Sequence, residues 1–236
     1  MRKVILVIAL LLLVAGVSVM AYPYVQQQLF RMHARNVIAD FEARLDEYRA
    51  VHAEAAGEDD PLQWLYDLTE EHNRQLFESG QQNLIDPFSY QQVDFSLEYF
   101  GFAEEMVGFI TIPKMNVELP IYLGASYENL ERGAAHLTQT SLPMGGRNTN
   151  SVIAAHRGMG TAAMFRDIEL LDIGDEIFIT NFMGTLRYEV VEIKIIFPAE
   201  VASVLIQQDR DLITLLTCHP YRRNFQRYLV FAERAD

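Results

Sequence analysis

The chain has one cysteine, Cys218, so it can form no internal disulfide. Lysine is confined to Lys3, Lys114 and Lys194. None of them sits in a glycine-rich loop, which leaves no phosphate-cradling motif. The histidines form no HExxH and no metal-ligand spacing with Cys218, so neither a metal nor another cofactor is expected. Positive charge is scarce: 19 Lys and Arg stand against 32 Asp and Glu, a net −13 at pH 7. That balance argues against nucleic acid as a partner, and against adsorption of the whole body on an anionic surface. No internal repeat and no low-complexity segment is present.

What the chain does have is apolar residues, half of its 236. This suits one globular domain with a membrane segment. Val4–Ala21 carries no charge and follows Arg2 and Lys3. About 18 apolar residues can just span a hydrocarbon core, with the two cations held on the cytoplasmic side. All 32 acidic residues lie beyond this segment, and only Arg2 and Lys3 of the 19 basic residues lie before it, leaving −15 on the rest of the chain. Val19-Met20-Ala21 resembles a signal-peptide cleavage site, but the apolar run is longer than a signal core. The expectation is a retained single-pass anchor over residues 1–22, with the body outside the cytoplasm.

Residues 23–80 read as a helical region. Ile38, Phe41, Leu45 and Tyr48 mark one helix face. Gly57-Glu58-Asp59-Asp60 breaks it, and Asp60-Pro61 opens a second helix through Trp64, Leu65, Leu68 and Leu76, which Gly80 can end. With so few apolar residues this pair should brace something larger. Residues 81–99 follow neither period, and a loop of that length is often functional.

From residue 100 the pattern turns to β. Candidate strands are 107–112, 117–123, 134–137, 151–155, 176–181, 185–197, 212–218 and 227–233, rich in Val, Ile, Thr and aromatics. In the sixth the apolar parity shifts after Val190, which predicts a bulge there. Helical inserts are expected at 161–171 and 199–207. About eight short strands with few helices predict a mainly β barrel or sandwich over residues 100–236.

An unpaired thiol outside the cytoplasm is a liability unless it reacts, although a free cysteine can also be an inert core residue. A cysteine nucleophile needs a basic partner and an oxyanion stabiliser. His156, just after a strand in SVIAAHRG with Gly158 permitting a sharp turn, is the candidate base. Arg227, first on the last strand, is the candidate cation. His219 adjoins Cys218, but neighbours in extended chain point to opposite faces.

These residues sit in a context that resembles the sortases. It comprises TLLTC (Thr214–Cys218), IAAHRG (Ile153–Gly158), Met164–Ile168 with Gly174-Asp175, and CxPYxxNxxR from Cys218 to Arg227. Asp86-Pro87-Phe88 is similar to the lid motif of the class C, pilin-polymerising members. That class usually carries a second, C-terminal transmembrane helix, which this sequence does not contain. The resemblance implies an eight-stranded sortase β-barrel and a transpeptidation. Cys218 would attack the Thr–Gly bond of an LPXTG-like sorting signal, with His156 as acid and base and Arg227 on the oxyanion. Asp86 would lie toward Arg227, and Phe88 would cover the thiol. The acceptor would be a pilin lysine or a peptidoglycan precursor, at the cell membrane of a Gram-positive type of cell. A housekeeping sortase that anchors surface proteins to the wall is the alternative enzyme. A membrane-anchored binding domain with a degenerate site is the alternative outside enzymes.

Overall fold

The computed structural model describes residues 2–51, 61–81, 84–86, 88 and 106–235. The expected break at Gly57–Asp60, the Asp60 cap, Pro87 and most of the 81–99 loop lie outside these residues.

Eight strands close a barrel in the order β1-β2-β3-β4-β7-β8-β6-β5. They are β1 Met106–Ile112, β2 Val117–Leu123, β3 Ala134–His136, β4 Thr149–Ala154, β5 Glu176–Asn181, β6 Thr185–Ile196, β7 Asp211–His219 and β8 Gln226–Arg234. The β2–β3 and β4–β7 pairs are parallel and the others antiparallel. All six residues of β4 are buried, as are Leu212–Thr217 of β7. Strands covered on both faces lose the polar–apolar alternation, which explains the continuous run ITLLT. Register in β6 slips between Val190 and Glu192, where the parity shift predicts a bulge.

The expected inserts at 161–171 and 199–207 are mostly turns, with single helical turns at Ile168–Leu170 and Val201–Val204. A six-residue helix at Tyr127–Arg132 was not anticipated. Six residues give too few periods to read, although Ser126 caps it by accepting from the Asn129 amide.

The N-terminal part departs further from expectation. The anchor and first helix are one 50-residue helix, α1 Arg2–Val51, continuous through Pro23. Between Ala21 and Ile38 the chain has no glycine, and its Gln, Leu, Arg, Met and Ala favour helix strongly enough to bridge the proline. An 18-residue window of α1 has a mean hydropathy of 3.1 and none of it is buried, so it is long and apolar enough to cross a membrane. Further on, Ile38, Phe41 and Leu45 join the main barrel core, as do Leu62 and Leu65 of α2, Pro61–Ser79. The sparse apolar face is thus spent on the barrel. Gly80, at φ +70, ends α2 as its amide bonds to the Phe77 carbonyl and that of Gln81 to Leu76.

Candidate active site

Parallel β4 and β7 end together, with Ala154 beside Leu216. The Ala155 amide donates to the Leu216 carbonyl at 3.2 Å, and the Thr217 hydroxyl donates to the Ala155 carbonyl at 2.7 Å. These bonds fix His156, the next residue, beside the end of β7. The chain then turns back sharply, and the Phe165 amide donates to the His156 carbonyl. Gly158 permits this turn at φ +83, where a Cβ would come within 3.0 Å of Arg166 Cβ.

Cys218 lies at the end of β7, directly across from Arg227 at the start of β8. The strand order β4-β7-β8 therefore brackets the thiol with His156 on one side and Arg227 on the other. Arg227 is nearly buried. Its Nη1 donates to the carbonyls of Asn224 and Gln226, at 3.0 and 2.9 Å. Its Nε and Nη2 donate to the two Asp86 carboxylate oxygens, both at 2.7 Å. Phe88 stacks between the flanking groups, 5.1 Å from the Arg227 guanidinium and 5.8 Å from the His156 ring. Leu84 and Phe88 pack on a second apolar cluster, which includes Leu137, Val204 and Leu216. Only about 10 Å³ remains free beneath Leu84–Asp86.

The electrostatics follow from this cover. Burial pushes the Cys218 thiol up. Arg227 opposes that shift, Asp86 adds to it, and Arg157 opposes it. Burial pushes the His156 imidazole down against a smaller opposing pull from Glu131. Both shifts favour the uncharged pair, thiol and imidazole, in the covered state.

His219 points away, as strand alternation requires. Its Nδ1 accepts from Arg157 Nη1 at 2.7 Å, and its ring lies 5.6 Å from Tyr228. Arg157 was missed from sequence. Its buried side chain also pairs with Glu169 at 2.6 Å and donates to the Cys218 carbonyl at 3.4 Å. Arginine next to a histidine in a turn reads as a solvated charge, so its burial depends on tertiary structure. Among the described residues no group of His, Cys, Asp and Glu could hold a metal ion.

The profile of the sortase domain matches residues 110–235. Sortase D of Bacillus subtilis (strain 168) is 29% identical over 130 residues, 54% of this chain and 63% of that protein. The chain thus spans less than two thirds of that relative. Among solved structures, one described as sortase C1 of GBS pilus island 1 is 33% identical, with a TM-score of 0.73. The match covers 86% of this chain and 92% of that one. Sortase C of Streptococcus pneumoniae, described for its catalysis and pilin substrate specificity, is 32% identical with a TM-score of 0.72. There the coverage is 85% of this chain and 97% of that one. With the barrel and the profile match in agreement, this chain belongs to the sortase family.

Proposed function

We propose that this chain is a membrane-anchored cysteine transpeptidase of the pilin-polymerising kind. The Cys218 thiolate attacks the carbonyl carbon after Thr in an LPXTG-like sorting signal. A thioester forms as the Thr–Gly C–N bond breaks, and imidazolium His156 gives its proton to the departing glycine amine. Arg227 donates to the carbonyl oxygen while it carries negative charge. A pilin lysine amine then attacks the thioester, loses a proton to His156 and releases the thiolate. A wall-anchoring sortase would use the same steps with a peptidoglycan amine as acceptor.

The observation that carries the reading is the placement of His156, Cys218 and Arg227 on adjoining strand ends beneath Asp86 and Phe88. The Asp86 contact favours the pilin-type reading, because it occupies the donors that the oxyanion needs. Both partners are largely buried, with side chains 17% and 6% exposed. Charge-assisted bonds of this kind contribute about 2 kcal/mol, which would leave roughly one molecule in thirty open and weaken apparent substrate affinity by that factor.

The test is incubation with a sorting-signal peptide and a lysine-bearing acceptor, read by mass. Wild type should show a thioester adduct on Cys218 and a joined product, and Cys218→Ala should show neither. His156→Ala and Arg227→Ala should each lose at least about a hundredfold in rate. His219→Ala should lose little, since its ring bonds to Arg157 on the other face. A joined product from Cys218→Ala, or a severe His219 defect beside an active His156→Ala, would overturn the assignment.

A further inference from the structure

The two ends of the barrel differ in how α1 meets them. Cys218, His156 and Arg227 share one end with the β1–β2 turn at Pro113–Met115. The pairings place the start of β2 and the start of β5 at the same end as the close of β4 and β7. At this catalytic end Phe30, Arg31 and Arg35 of α1 line a cavity of about 290 Å³ with Pro113, Asn116 and Met164. At the far end Arg49 donates to the Phe182 carbonyl at 3.1 Å, in the β5–β6 turn. So α1 meets the barrel first at the catalytic end and runs to the far end, while its apolar span precedes that first contact. From Ala21 to Phe30 is nine residues, or about 14 Å of helix.

A second observation is independent of the helix. The β7–β8 loop projects from the catalytic end, with Tyr221 45% and Phe225 61% exposed. Arg222 lies over the Tyr221 ring at 5.4 Å and Arg223 near the Phe225 ring at 5.9 Å. Neither arginine has a carboxylate partner among the described residues. Rings with one apolar and one wet face, beside free guanidinium groups, suit the headgroup layer of a bilayer. The far end carries Asp67, Glu70 and Glu71 around a second cavity, and its Arg74 and Arg147 are paired with acids. The acidic body is unsuited to lying broadly on an anionic surface, so any contact is confined to this rim.

We propose that α1 acts as a ruler that turns the catalytic end toward the membrane, with the Tyr221–Phe225 loop in the interface. The orientation does not rest on the transpeptidase reading, whereas the turnover arm of its test does.

The experiment uses the full chain in phosphatidylcholine–phosphatidylglycerol vesicles with a quencher on the lipid headgroups. In a Cys218→Ala background, a dye is attached at Asn224→Cys on the β7–β8 loop or at Gln208→Cys at the far end. Quenching should be at least about threefold stronger at 224, and equal or reversed quenching would overturn the orientation. A second arm inserts seven helix-forming residues after Gln26 in the active chain, raising the barrel by about 10 Å while keeping its face. Turnover of a vesicle-anchored signal should fall at least about tenfold, with turnover of the same signal as a soluble peptide unchanged. Unchanged turnover of the anchored signal would overturn the ruler. If wild type failed to turn over even the soluble peptide, the transpeptidase reading would fall, and quenching would still decide the orientation.

Discussion

Asp86 acts on Cys218 in two ways, and both disfavour the thiolate. Its charge pushes the thiol up, and it occupies the guanidinium that pulls the thiol down. A thiol raised in this way ionises at a higher pH than a free one, so alkylation of wild type should be slow at neutral pH. Asp86→Asn removes the opposing charge and loosens Arg227. The alkylation profile should therefore move to lower pH, and an Asp86→Ala, Phe88→Ala double variant should react several-fold faster at pH 7. Rates with iodoacetamide across pH would check this, and profiles that coincide with wild type would mean that the segment does not guard the site. The strand contexts of His156, Cys218 and Arg227 were legible because each is local: an apolar run that stops, a turn glycine, a spacing. Arg157 was not legible, nor was the depth of the Asp86–Arg227 pair. The partners lie 141 positions apart, and no local pattern encodes their burial.

At the scale of elements, α1 is both a candidate membrane span and a wall of the barrel core. Phe41 is 1% exposed and its ring lies 5.6 Å from that of Phe182 in the β5–β6 turn. Phe41→Ala should cost about 3 kcal/mol, as core Phe truncations do, and lower the melting temperature by roughly 6–12 °C for a chain of this size. A shift of less than about 1 °C in thermal unfolding would mean that α1 only spaces the barrel from the membrane. The strands were legible to within a few residues, because β-branched runs between turn residues mark them regardless of partner. Joining the anchor to the first helix was not. The apolar run alone puts the end of the anchor at residue 22, whereas the good helix formers on both sides of Pro23 carry one helix through it.

At the scale of the whole molecule, the barrel closes around a histidine that must stay uncharged. His136 sits in β3, fully buried, where β2 and β4 meet it. Its Nε2 bonds to the Ser141 carbonyl at 2.9 Å, and only a protonated nitrogen can donate there. Nδ1 is therefore the bare nitrogen, buried without a partner among the described residues. A second proton would have to go on Nδ1, where no described group accepts it, and burial pushes the imidazole down to about 4 from an ordinary 6.5. Between those values the unfolded chain binds this proton and the folded chain does not, so stability rises with pH. The contribution is complete above about pH 6.5 and is lost as pH falls toward 4, about 3 kcal/mol in all. The lowered imidazoles of His72 and His156 act in the same direction, while the raised carboxyl of Asp211 acts against them. Melting temperature should therefore fall steeply from pH 6.5 to pH 4.5. His136→Gln keeps a donor for the Ser141 carbonyl and has nothing to titrate. It should melt lower at pH 7, with a distinctly shallower decline through the same window. Parallel declines in wild type and variant would show that acid opens the barrel somewhere other than β3.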